Sequence, residues 1–320
     1  MEAPGRIMDI EQLNIDHRID DQIKVVEGPA GFPFIKVSND SASAVISVYG
    51  GQVLAFQPAN EQHNLMFLSQ LAYYAPGKSI KGGSPVCWPW FGPDPEGKGR
   101  PAHGFVRTRF WEVMHTEAIS NEESKVTLGL ADSAETRDIW PNAFMLQLEI
   151  TVGKSLRLEL ITRNAGGQPF SITQALHTYF KVGHISRIAV LGLENTEYID
   201  KTDKGARKLQ TGPITINREV DRIYRNGSSE LVIDDAALDR RICIASRGSH
   251  TAVVWNPWEK ISAEMGDLED DDYQRFVCVE TTNADTDVAQ VPPDGEARLT
   301  ATYRIERDLP DELKALHAEG

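Results

Sequence analysis

Two short segments of this chain place proton-transfer side chains on strands. In FSITQALHTYFKV, residues 170–182, alternation sets Ile172, Gln174, Leu176, Thr178, Phe180 and Val182 on one face and Thr173, Ala175, His177, Tyr179 and Lys181 on the other, because successive strand side chains point to opposite sides. His177 therefore turns away from the more apolar face, onto a surface suited to the floor of a polar cleft. A histidine satisfied by neighbouring hydroxyls fits the same spacing. In RFVCVETTN, Glu280 lines up with Phe276, Cys278 and Thr282. A carboxylate on so apolar a strand is costly unless the strand end opens to solvent or the carboxylate finds donors. A His and a Glu on neighbouring strands can act as acid and base in one turnover.

A third region departs from any regular period. Lys81 to Arg109 reads KGGSPVCWPWFGPDPEGKGRPAHGFVRTR, where glycines and prolines punctuate the backbone and Trp88, Trp90, Phe91 and Phe105 offer flat surfaces. A loop this long and this aromatic is expected to be functional rather than disordered. From Lys78 to Arg109 six bases meet two acids, a local net of +4 in a chain of net charge -14. A small anionic ligand suits that cluster, although a solvated loop would also carry such charges. His103 precedes Gly104, which permits close backbone approach, and Arg107 brings a planar fork that matches phosphate or carboxylate. Asp221 in EVDRIY is either half of an ion pair with Arg222 or a ligand, and WNPW (255–258) is either core or a stacking surface for a sugar ring.

The elements that must position these residues are strands. FMLQLEITV and the segment after Gly153-Lys154 alternate cleanly and predict a β-hairpin. Similar runs at 43–48, 125–130, 170–182, 240–246, 251–255, 275–281 and 297–305 predict further strands. Helical pattern is confined to a turn around Ile10 to Leu13 and to PDELKALHAE at 310–319. The expected class is all-β, one large antiparallel β-sandwich with a few short helices. Residues 1–22 form a peripheral lead-in, 23–309 a single domain and 310–320 a short C-terminal helix.

Composition narrows the partners. The acidic balance argues against nucleic acid and anionic membrane, and no run approaches a membrane span. Cys87, Cys243 and Cys278 are widely spaced with no CxxC, which fits a reducing, cytoplasmic setting. Walker, GxGxxG, HExxH and GxSxG motifs are missing and the eight histidines show no zinc-like pairing, so no metal and no cofactor is expected. The acidic run GDLEDDD (266–272) lacks EF-hand spacing and is expected to be a solvated loop.

Taken in order, GGSPVCWPWFGP, PAHGFVR, ALHTYF, EVDRIY, VVWNPW and VCVETTN resemble the aldose 1-epimerase (mutarotase) superfamily, and within it the glucose-6-phosphate 1-epimerase branch, over roughly residues 30 to 305. The resemblance implies a galactose-mutarotase-like sandwich with the site over one sheet. It implies that His177 is the general acid on the ring oxygen and Glu280 the general base on the C1 hydroxyl, that His103 and Asp221 bind hydroxyls, and that Arg107 lies where a phosphate is expected. Trp90 and Arg100 join this substrate-binding set from the first motif and its neighbourhood. The family usually has arginine before the first Gly-Gly, and this chain has Lys81. Lysine keeps the charge but loses the fork, so a weaker phosphate contact or a different preferred sugar is expected, with Arg100 as a base that could compensate.

The implied activity is α/β anomer interconversion of a hexose 6-phosphate by a monomer that needs only proton transfers. It starts from ionised Glu280 and protonated His177, a state that an acidic site would favour. A non-catalytic sugar-binding module of the same fold, and a glycoside hydrolase using Asp221 and Glu280 as its carboxylates, are the alternatives.

Overall fold

The computed structural model describes residues 9–225 and 230–307. Over them the period-two alternation becomes antiparallel sheet, with two eight-stranded sheets dominating. The expected hairpin forms the middle of one of them. Phe144–Val152 pairs with Leu156–Asn164 from Phe144 opposite Asn164 to Val152 opposite Leu156, and every second residue of the first strand is buried.

The other large sheet runs in the order Ala206–Leu209, Glu197–Asp200, Val220–Arg225, Thr251–Asn256, Phe276–Asn283, Gln174–Leu176 and Val86–Cys87, with Tyr179–Lys181 also paired to Phe276–Asn283. Its inner face carries Leu176, Phe180, Val254, Val277 and Val279. These pack in one core with Leu146, Leu148, Leu158, Leu160, Ile242 and Tyr303 of the hairpin sheet. Each such side chain contributes roughly 1.5–3 kcal/mol on burial. Contacts cross the sandwich directly: the Phe180 ring stands edge-on to Tyr303 at 5.1 Å, and Trp88 Nε1 donates to Thr162 Oγ1 at 3.0 Å.

A four-stranded meander, Ile23–Glu27, Pro33–Ser38, Ala42–Ser47 and Gln52–Pro58, extends the core. Its last strand bridges Val53 to Ser84 and so anchors the start of the loop region.

The run 170–182, expected as one strand, is broken into Phe170–Ile172, Gln174–Leu176 and Tyr179–Lys181. The cause is its partner. Thr173, His177 and Tyr179 donate their N–H groups to the carbonyls of Pro89, Pro85 and Gly83, and the prolines have no N–H to return.

The first helix spans Ile10–His17, longer than the single turn expected, because Asp9 caps it by accepting from the N–H groups of Glu11 and Gln12. Short helices at Ala134–Ile139 and Trp258–Glu264 carried no clear helical period. The helix expected at 310–319 lies outside the described residues. No helix among the described residues is long and apolar enough to cross a membrane.

Candidate active site

The outward face of the second sheet gathers His177 and Glu280. Leu176 is opposite Thr281 and Tyr179 is opposite Cys278; the unchanged register between those pairs sets His177 across from Glu280. Nε2 of His177 lies 3.4 Å from Oε1 of Glu280. The residues are only 8% and 2% exposed. Their other polar atoms, Nδ1 of His177 and Oε2 of Glu280, are buried with no hydrogen-bond partner among the described residues. Buried polar atoms are rarely left so, and here they mark positions where a ligand's hydroxyls could bond.

Burial pushes the Glu280 carboxyl well above its ordinary value, reinforced by Asp221 and opposed by Arg107. It pushes His177 well below its ordinary value, and the neighbouring His103, Arg107 and Lys81 add to the shift. Desolvation disfavours the charged form of each group, and Arg107 and Lys81 add to that effect at His177.

Aromatic rings enclose the pair. Tyr179 stacks on His177 with centroids 5.1 Å apart and planes at 13°. Trp255 stands edge-on to both rings, at 6.0 Å from His177 and 5.9 Å from Tyr179. WNPW is thus divided. Trp255 ends a strand on the cleft face, whereas Trp258 starts the helix Trp258–Glu264. Tyr179 received no role from the sequence, although its place two residues after His177 on the same alternation face was the signal.

His103 reaches the pair from the long loop, its ring 5.7 Å from that of His177. Its backbone is left-handed, φ 64°. Its N–H donates to the Gly92 carbonyl at 2.7 Å, and Nδ1 accepts from the Gly92 N–H at 3.3 Å. Burial, helped by Arg107, Lys81 and Lys201, brings its pKa down to about 3, so the ring is neutral and Nε2–H is left as a donor. Gly104 follows at φ 73°, where a Cβ would stand 1.8 Å from the Trp88 carbonyl oxygen.

Arg107 lies in the turn Val106–Thr108 and donates through Nη2 to the Ala102 carbonyl at 2.9 Å. Its charge is felt by His103, His177 and Glu280 alike. Asp221 is opposite Trp255, which is opposite Cys278, so it shares the cleft face two strands from Glu280. Arg222 points to the other face, where it bonds Gln210 and Tyr224. The neighbour ion pair weighed for Asp221 is therefore not formed. Burial raises its carboxyl, opposed by Lys201, a cation that the sequence reading passed over.

Lys81 Nζ is 3.4 Å from Oδ1 of Asp267 and 3.8 Å from Met265 Sδ. The acidic run is thus no purely solvated loop. Asp267 faces the site cation, while Glu269, Asp271 and Asp272 close on Arg275. Arg100 and Trp90 stand together. The Arg100 guanidinium lies 4.3 Å above the Trp90 ring, its donors engage Asp94, Glu96 and the Ile139 carbonyl, and Trp90 Nε1 donates to the Pro101 carbonyl at 2.9 Å.

Stacked antiparallel sheets with a buried His–Glu pair on one outer face define a β-sandwich. The chain belongs to the aldose 1-epimerase family, whose profile matches residues 33–304. It is 36% identical over 274 residues to a protein of Escherichia coli K12 provisionally named glucose-6-phosphate 1-epimerase, covering 85% of this chain and 90% of that one. A plant relative from Cenchrus ciliaris, named in the same provisional way, is 34% identical and covers 84% of each chain. Among solved structures, a provisionally assigned mutarotase from Salmonella typhimurium superposes with a TM-score of 0.85 at 31% identity, over 91% of this chain and 96% of that one.

Proposed function

We propose that the protein interconverts the α and β anomers of a hexose 6-phosphate, glucose 6-phosphate foremost. The observation that carries this reading is the buried pair, His177 and Glu280 in contact at 3.4 Å with one free polar atom on each. The relatives' names point the same way.

In the reaction, Glu280 takes the proton from O1 and His177 gives one to the ring oxygen O5. The C1–O5 bond breaks to an open-chain aldehyde, which rotates about C1–C2, and the reverse transfers close the ring on its other face. Each group must lie within ~3 Å of its proton, and holding the sugar between them supplies much of the acceleration. Burial disfavours both charged forms, so in this reading the pair ionises by passing one proton from Glu280 to His177 before ring opening. A bound phosphate dianion would offset Arg107 and Lys81, which hold the imidazolium down, while the loss of Arg107's opposing charge would also raise Glu280 further.

His103 and Asp221 bind sugar hydroxyls in this reading. Arg107 and Lys81 meet the phosphate, and Arg100 with Trp90 braces the loop that carries them. The working unit is a monomer in a reducing, cytoplasmic compartment. In support of the compartment, Cys87, Cys243 and Cys278 are free and buried. Residues 23–309 act as one domain, supported by a hydrophobic cluster that runs through the meander and both large sheets.

The test is anomer exchange by NMR with glucose 6-phosphate and glucose, measured against the uncatalysed rate. Acceleration of the phosphate ester well above that of glucose is expected. Equal acceleration of both overturns phosphate specificity, and no acceleration overturns the activity.

A further inference from the structure

Directly behind His177, three hydroxyl groups meet within the apolar core. Thr178 is fully buried, and its Oγ1 lies 2.7 Å from Ser84 Oγ and 2.7 Å from the Tyr303 hydroxyl. Ser84 belongs to the loop segment that runs beside the broken strand. Tyr303 comes from the strand Glu296–Glu306 of the opposite sheet. The chain therefore joins both layers of the sandwich at the residue next to the acid–base histidine.

The location matters because regular pairing lapses there. His177 and Thr178 fall between Gln174–Leu176 and Tyr179–Lys181, and the His177 N–H reaches the Pro85 carbonyl at 2.9 Å, one residue beyond Ser84. An apolar side chain at Thr178 would avoid placing a hydroxyl in a core where unpaired polar groups are costly. The hydroxyls bond one another instead, and a buried network of this kind holds its members in one arrangement. Phe180 adds a second restraint, its ring edge-on to Tyr303 at 5.1 Å.

We infer that Thr178, held between Ser84 and Tyr303, is a positioning residue that sets the backbone and ring orientation of His177 against Glu280. This rests on the acid–base role proposed for His177. Thr178→Val keeps the shape and removes both hydrogen bonds, and kcat for anomer exchange should fall about 10- to 100-fold, the scale expected for small misplacements of a reacting group. KM should stay within about twofold, since Thr178 faces away from the substrate side, and the pH profile of kcat should move. Thr178→Ser should restore most of the rate, and Tyr303→Phe should lose less than Thr178→Val in the same direction.

A folded Thr178→Val protein with wild-type kcat and pH profile overturns the inference, as does a loss that Thr178→Ser leaves unrescued. If Thr178→Val does not fold, Tyr303→Phe decides by the same readouts. Ring nitrogen shifts of His177 provide an arm independent of turnover. A shift change in Tyr303→Phe supports positioning even if the wild type proves inactive toward sugar phosphates, and an unchanged shift in a folded variant overturns it.

Discussion

His177 and Glu280 face each other across adjacent antiparallel strands, Nε2 to Oε1 at 3.4 Å, with burial driving both toward their neutral forms. Two groups of opposite charge type, each expensive to ionise alone, can ionise together by passing one proton between them. In the proposed reaction this would make the pair a proton store for the substrate.

If the pair carries the chemistry, His177→Ala and Glu280→Gln should each lower anomer exchange by about 100-fold or more, in line with general acid–base contributions of 10²–10⁴. Circular dichroism should show an intact fold. Near-normal exchange in either variant would end the assignment.

The same burial makes a stability prediction. Glu280's folded pKa is raised above its ordinary 4.5, so the stability it contributes is full below that value and is lost as pH rises through the folded pKa. Glu280→Gln, which mimics the neutral acid, should therefore melt higher than wild type at pH 8. The gap should close as pH falls toward 4.5. A melting difference that is constant from pH 4.5 to 8 would contradict the raised carboxyl.

The pairing of Lys81 with Asp267 bears on substrate choice. If Lys81 meets the substrate phosphate as proposed, Asp267 competes for it, so Asp267→Asn should improve kcat/KM for glucose 6-phosphate relative to glucose by about 2- to 5-fold, the scale of a partly exposed ion pair. Lys81→Met should move the ratio the opposite way. Parallel changes for both sugars would separate this pair from phosphate recognition.

Gly104 holds His103 and Arg107 to the strand below them. Gly104→Ala, at φ 73° with its Cβ 1.8 Å from the Trp88 carbonyl, should cost about 3 kcal/mol or more. Gly99→Ala, at a similar φ of 78° but with nothing within 4 Å, should cost about 1 kcal/mol, the strain alone. Denaturant midpoints of the two variants provide the comparison.

The sequence by itself determined the local alternation, and with it which side of its strand each residue would take. His177 away from the apolar face, Glu280 in line with Cys278, and the hairpin of Phe144–Val152 with Leu156–Asn164 all follow from a period of two. Its order of short motifs also carried the family. The tertiary structure decided the register, which depends on long-range packing rather than on neighbours in sequence. One residue of slip would have separated His177 from Glu280 and turned one of them into the core. Only the folded chain brings Tyr303 behind Thr178 and Asp267 to Lys81, or turns Arg100 onto Trp90 and Asp94. These contacts join residues far apart in sequence or inside a loop without period, where no spacing rule applies. The ionisation of the pair was likewise a tertiary outcome, because the chain's charge is read from its composition whereas desolvation and the nearness of Arg107 and Lys81 exist only once the sheets are stacked.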